Sequence, residues 1–277
     1  MPANPPVTDW GAQRVWVIGA SSGIGAEVAR LLLARGARVA LSARSAAALD
    51  ALMGEVQAAP RAPAGHALAL PLDVTDRASI ERVHAMLIDQ WGGCDQVLYV
   101  TGTYVPMRAQ SLDVAAARRV LDTNFTGFLD VLDVVLPGLR AQGHGVLCIV
   151  ASVAGYRGLP KALIYGPTKA ALINLAESLY LDLRPEGIGV NLVCPGFVET
   201  PLTAGNDFRM PALISAAAAA REVVRGLERG VFETHFPKRF TRFLKFLRFL
   251  PDRWYFALVR RGTGMQAGAA TARTRSA

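Results

Sequence analysis

The chain has 277 residues, 52% of them hydrophobic, and a formal net charge of +8. This is enough apolar material for a sizeable core, and the repeated strand/helix rhythm favours one continuous sheet over two small domains. Cys94, Cys148 and Cys194 form an odd set without metal-ligand spacing, two of them in predicted strands; they read as buried thiols in a reducing compartment, with no metal site. The segment Met1 to Asp9 has no basic stretch leading into an apolar one, and no apolar run reaches about 18 residues. The expected location is the cytoplasm. The positive charge is concentrated in one place. Residues 238–261 carry eight basic side chains against Asp252 alone, a net charge of +7, and Arg273 and Arg275 add two more, which leaves residues 1–236 close to −1.

Arg14 to Gly19 is a short apolar run ending in glycine, a first buried strand. Gly19-Ala20-Ser21-Ser22-Gly23-Ile24-Gly25 then opens an amphipathic helix to about Arg35, closed by Gly36. A glycine turn between strand and helix lets backbone approach a pyrophosphate, while the helix N-terminus offers free N–H groups and the positive end of a dipole. Ala37 to Ala43 is the second strand, followed by Arg44-Ser45. A carboxylate there would bind the adenosine ribose of NAD, whereas Arg44 suits the 2′-phosphate of NADP. A helix from about Ser45 to Ala59, a loop Pro60–His66 and a strand Ala67–Leu72 follow. Asp73-Val74 ends that strand, with Thr75 and Asp76 available to start the next helix, which runs to about Trp91. Asp95 to Val100 is the fourth strand, and one long helix covers about Val114 to Gln142. Asn124 lies inside it, where an amide is a poor helix former and calls for a reason.

The run Val146 to Ala151 is a buried strand that delivers Ser152 to the carboxyl edge of the sheet, where ligands of open parallel sheets bind. Thirteen residues later, Tyr165 and Lys169 stand four apart on a helix that ends near Arg184-Pro185. A neighbouring ammonium favours phenolate and would bring Tyr165 into useful acid/base range. Ile188 to Cys194 is the sixth strand; Pro201 to Pro211 reads as a mobile lid; a helix from about Ala212 to Glu228 and the strand Val231–Phe236 complete the series.

With its G-x-x-x-G-x-G turn, Asn124-Phe125-Thr126-Gly127, Ser152, Tyr165-x-x-x-Lys169 and Pro195-Gly196-Phe197-Val198-Glu199-Thr200, the sequence over about 12–236 resembles the short-chain dehydrogenase/reductase family. The resemblance implies an α/β fold: one Rossmann-type, doubly wound parallel sheet of about seven strands in the order 3-2-1-4-5-6-7. It also implies an oxidoreductase moving hydride between NADP(H), with NAD(H) the less favoured cofactor, and a carbonyl/secondary-alcohol pair. Ser152 would polarise the carbonyl, Tyr165 exchange the proton, Lys169 tune the phenol and hold the ribose, and Asn124 extend a proton relay through water. The same resemblance assigns Gly19, Ser21, Ser22, Gly23, Ile24, Gly25, Arg44, Ser45, Asp73, Val74, Gly102, Tyr165, Lys169, Pro195, Gly196, Val198 and Thr200 to the cofactor. The family usually has Asn-Asn-Ala-Gly where this chain has Tyr99-Val100-Thr101-Gly102, so only the glycine carries over. A homodimer or homotetramer is the usual assembly.

Residues 237–261 depart from the family pattern. Phe240, Phe243, Leu244, Leu247 and Leu250 gather on one helical face, with Lys238, Arg242, Lys245 and Arg248 opposite, and Pro251 separates a second aromatic and basic stretch. Such a segment can lie peripherally on the anionic inner face of a membrane, or dock on the body or on a second subunit. No recognition fold for nucleic acid accompanies the charge, and residues 262–277 read as a disordered tail. An apolar or lipid-like carbonyl substrate fits the aromatic C-terminus. Other classes of function are a nucleotide sensor or scaffold without turnover, and a membrane-surface protein working through the basic helices; dehydration or epimerisation on the same fold is a sister chemistry.

Overall fold

The computed structural model describes residues 3–58, 66–208 and 210–263. Most of the loop expected over 60–66, one lid residue and nearly all of the expected disordered tail lie outside the described residues. Seven strands form one parallel sheet: β1 (Arg14–Ile18), β2 (Arg38–Ser42), β3 (Ala67–Ala69), β4 (Gln96–Tyr99), β5 (Gly145–Val150), β6 (Ile188–Pro195) and β9 (Glu233–Phe236). Their spatial order is β3-β2-β1-β4-β5-β6-β9, with the seventh sheet strand in the place expected for it. A separate two-residue pair joins β7 (Val198–Glu199) to β8 (Ile214–Ser215).

The strands are nearly continuous apolar runs because both faces of the sheet are covered. On one face, α1 (Gly23–Leu33), α2 (Ala46–Gln57) and α8 (Ala216–Glu228) pack Val28, Leu32, Leu49 and Val224 against Val15, Val17, Val39 and Leu41. On the other, α3 (Arg77–Trp91), α5 (Gly127–Gln142) and α6 (Tyr165–Leu183) pack Leu87, Val131 and Leu172 against Trp16, Val97, Leu147 and Leu192. Among the described residues no helix is long and apolar enough to cross a membrane.

Three boundaries differ from the sequence expectation, each for a local reason. β3 is shorter than expected, yet Leu70 and Leu72 still donate to Leu41 and Ala43 at 2.9 and 3.0 Å, so the ladder continues on one side only. The last sheet-covering helix starts at Ala216, four residues later than expected, because Ile214–Ser215 pairs with β7 and the Ser215 hydroxyl caps Ala218 N–H at 3.2 Å. The long helix around Asn124 is not uniform. It comprises α4 (Val114–Leu121), a π-helical turn (Asp122–Thr126) and α5. The wider turn takes Thr123 out of the regular ladder, and its carbonyl accepts from the hydroxyl of buried Tyr99 at 2.6 Å.

Short α7 (Pro201–Ala204) opens the lid segment, so that part is helical and not loop. After β9, α9 (Lys238–Leu247) and α10 (Asp252–Gly262) lie against the body. Arg157 is the hub of that contact. It donates to the carbonyls of Leu247 and Leu250 at 3.2 and 2.8 Å, where α9 ends, pairs with Asp252 at the start of α10, and lies 3.9 Å over the Tyr255 ring. A cation is favourable at a helix C-terminus and a carboxylate at an N-terminus, so one guanidinium serves both helices. Tyr255 in turn donates to the Gly158 carbonyl at 2.7 Å. Lys245 faces inward to Glu233 and so does not share the solvent-facing side expected of it.

The N-terminal segment is stitched into the sheet. Buried Asn4 accepts from Val190 N–H at 2.9 Å, donates to the Val190 carbonyl at 2.8 Å, and its own N–H donates to Gly230 at 2.8 Å. Asn4→Ala strands a buried donor and acceptor of β6, and is expected to lower stability by about 2 kcal/mol in urea unfolding. An unchanged midpoint would show that solvent replaces both bonds.

Candidate functional site

The carboxyl ends of the central strands open into one cleft with a volume of about 320 Å³. At one end is the turn between β1 and α1. There a Cβ on Gly25 would stand 2.0 Å from the Gly19 carbonyl oxygen, so the turn closes only without a side chain. Gly19, Ser21, Ser22, Gly23, Ile24 and Gly25 all line the cleft beside the N-terminus of α1, a cradle for a phosphate. Arg44 follows β2 and lines the same end, exposed. Asp73 and Val74 form part of the wall, with the Asp73 carboxylate accepting from the Thr75 N–H and hydroxyl at 2.9 and 2.8 Å. Gly102, Pro195, Gly196, Val198 and Thr200 line the far side. Ser45 is not among the lining residues; its hydroxyl caps α2 by accepting from Ala48 N–H at 3.2 Å.

Ser152, Tyr165 and Lys169 meet at the deep end. Ser152 is placed by β5 and by a 3₁₀ turn (Val153–Gly155), whose Ala154 N–H donates to its hydroxyl oxygen at 3.1 Å. That bond uses an acceptor lone pair and leaves the hydroxyl proton available. Tyr165 begins α6, and Tyr104 packs edge-on against its ring at 5.1 Å between centroids. Lys169, one turn on, is 3% exposed and donates to the Val150 carbonyl at 3.0 Å.

The electrostatics differ from the expected pairing. Burial pushes the Tyr165 phenol up to about 12, opposed by its hydrogen bond with Ser152, and burial brings the Lys169 ammonium down to about 8. The reason is geometric. The Lys169 nitrogen is 5.7 Å from the Tyr165 ring centroid and spends a hydrogen bond on Val150, so desolvation outweighs the charge contact.

Asn124 lies behind this group, fully buried and outside the cleft lining. Its side-chain oxygen accepts from Thr103 N–H at 2.7 Å, while its amide donates to the Thr103 carbonyl at 2.9 Å and to the Thr168 hydroxyl at 3.2 Å. The amide thus ties the π-helical turn to the loop after β4 and to α6. Sequence reading passed over Thr101, Thr103 and Thr123, which line the cleft, and Tyr104, which packs on Tyr165. Their signal was position alone, since they flank Gly102 at the end of β4 or Asn124 in the π-helical turn. In the segment after α7, Asp207 pairs with Lys161, and Phe208 meets the Phe197 ring at 5.8 Å.

The family model for short chain dehydrogenases matches residues 13–209. A protein of Myxococcus xanthus named as an uncharacterized oxidoreductase is 37% identical over 246 residues, 88% of this chain and 95% of its own length. Cis-4-hydroxycyclohexanecarboxylate dehydrogenase of Sinomonas cyclohexanicum is 36% identical over 220 residues, covering 79% and 85%. Among solved structures, a short chain dehydrogenase from Burkholderia cenocepacia J2315, in complex with NADP, superposes with a TM-score of 0.76 at 22% identity, covering 91% of this chain and 99% of its own. With the seven-stranded parallel sheet and the match over more than two thirds of its length, the chain belongs to the short-chain dehydrogenase family of oxidoreductases.

Proposed function

We propose that the protein interconverts a carbonyl and a secondary alcohol on a largely apolar small molecule, with NADP(H) as cofactor. The observation that carries this reading is the convergence of Ser152, Tyr165 and Lys169 at one end of the cleft whose other end is the glycine turn and Arg44. The turn fits a pyrophosphate because its backbone can approach closely, and Arg44 can meet a 2′-phosphate through a bidentate, charge-assisted contact. The Burkholderia structure with NADP and the Sinomonas dehydrogenase, whose substrate is a ring alcohol, lend support to the cofactor and reaction class. When bound, the nicotinamide supplies or accepts the hydride.

The chain's own groups supply position and proton. With substrate bound, Ser152 would turn its one hydroxyl proton from Tyr165 to the substrate oxygen. Tyr165, held protonated at neutral pH by burial, delivers its proton to that oxygen in reduction. In oxidation the phenolate takes the alcohol proton. Lys169, anchored on Val150, would hold the ribose of the cofactor, and Asn124 acts as a positioning residue that keeps Thr103 and α6 in register. Tyr104 packs its ring on Tyr165 at the reacting end, which supports a substrate with apolar surface.

Assays of NADPH and NADH oxidation against short, aromatic and long-chain ketones and aldehydes test the reading. Tyr165→Phe is expected to lower kcat by about 10²–10⁴. Reduction needs the phenol and oxidation the phenolate, so the wild-type reductive rate should fall, and the oxidative rate rise, as pH climbs towards the Tyr165 range. Bound NADPH without turnover on any substrate would point to a sensor instead.

Arg44→Asp is expected to raise KM for NADPH by about 10–100-fold while changing that for NADH little, from the loss of a charge-assisted contact. Equal effects on both cofactors would remove the 2′-phosphate assignment. A third expectation concerns stability. The folded Lys169 titrates at about 8 against an ordinary 10.5, so below pH 8 both folded and unfolded states are protonated and the buried charge penalises folding in full. The penalty fades as pH rises through that window. Lys169→Met is therefore expected to abolish turnover yet stabilise the nucleotide-free protein by about 1–3 kcal/mol at pH 7, by thermal or urea unfolding.

A further inference from the structure

Helices α9 and α10 are held to the body by Arg157, Tyr255, Lys245 and buried Leu247, which leaves an outer surface of unusual composition. Phe246, Phe249, Trp254 and Phe256 are 62, 84, 59 and 51% exposed, a concentration of aromatic surface even though Phe256 meets the Tyr255 ring and Arg253 lies over Trp254. Arg239, Arg242, Phe246 and Phe249 follow one another at helical spacings of three and four, so cations and aromatics share one outer stripe. Between the helices runs an apolar groove of about 320 Å³, walled by Phe240, Leu244, Leu247 and Val259. Phe243 and Leu258 line it while remaining 52 and 41% exposed, so its apolar wall continues to the surface.

We propose that this surface docks the protein on an anionic lipid bilayer, with the aromatic side chains entering the headgroup boundary and the groove receiving a hydrocarbon chain. The charge balance selects this occupant. The segment 238–261 carries +7 on a body near −1, and among the described residues Lys238, Arg239, Arg242, Arg260 and Arg261 have no carboxylate within ion-pair distance. A second copy of the same face would bring +7 against +7, whereas anionic headgroups neutralise it and acyl chains cover the aromatics. A nucleic acid would match the charge but has nothing hydrocarbon to offer the groove. The proposal does not depend on the substrate or on turnover.

The test is co-sedimentation of the full-length protein with vesicles of phosphatidylcholine alone and of phosphatidylcholine with 30% phosphatidylglycerol, at low and high salt, beside light-scattering measurement of mass. Binding to the anionic vesicles at least tenfold above the neutral ones, weakened by salt, is expected. Phe249→Ser with Trp254→Ser, and separately Arg239→Glu with Arg242→Glu, should each reduce partitioning at least tenfold. All four positions are exposed, so circular dichroism and turnover on a short soluble ketone should be unchanged. Equal affinity for both vesicle types, or variants that partition like wild type, would overturn the proposal. So would absent vesicle binding together with a dimer that these variants dissociate, or with retention on a nucleic-acid column.

Discussion

A positive charge sealed inside the protein sets the terms for everything around it. The Lys169 ammonium is almost wholly desolvated, with the Val150 carbonyl as its hydrogen-bond acceptor. Such a group persists only where the surroundings over-determine its place. Here β5 supplies the carbonyl, α6 fixes the stem, and the loop after β4 passes so close that a Cβ at Gly102 would stand 3.3 Å from the lysine nitrogen and 3.5 Å from the Asn124 oxygen. Asn124 then clamps that loop by both polar groups of Thr103. The π-helical turn, through Asn124, thus helps hold the ends of β4 and β5 at one charge.

What could be read from the sequence was what local chemistry repeats. The glycine turn needs particular residues within seven positions, and the pair Tyr165/Lys169 needs one helical turn, so both are written in short stretches. The buried strands were equally plain, as apolar runs between turns. Contacts that join distant stretches left no such trace. Nothing about Asn4 in a proline-rich leader announces that it bonds Val190, 186 residues away, and nothing about Arg157 announces that it ends one helix and begins another. The departure at Tyr99 is instructive. Where the family carries amides, a buried phenol reaches the Thr123 carbonyl and rests on Phe128 at 5.1 Å, so the strand is tied to the π-helical turn by another group. The expected effect of Lys169 on Tyr165 rested on sequence spacing, which carries no information about desolvation.

The C-terminal helices are neither a free appendage nor simply part of the core. Phe240 packs 3.1 Å from where a Cβ of Gly196 would be and meets the Phe197 ring at 5.9 Å, so α9 touches the turn that walls the cofactor cleft. Tyr156, four residues past Ser152, donates to Glu233, which also pairs with Lys245, and lies beneath the cations of Lys245 and Arg248. The C-terminal helices are thus in contact, through Glu233 and Tyr156, with the loop that carries the serine. A displacement of α9 would reach the cleft wall at Gly196 through Phe240.

The stitch made by Asn4 also constrains how the protein is born. Its partners on β6 and at Gly230 leave the ribosome some 186 to 226 residues after Asn4 itself, an interval on the order of 10–50 s at typical synthesis rates. Through that time Asn4 lacks its partners, and the edge of the growing sheet beside β6 stays open. Asn4 can therefore take its place only once residues 190 and 230 have both appeared.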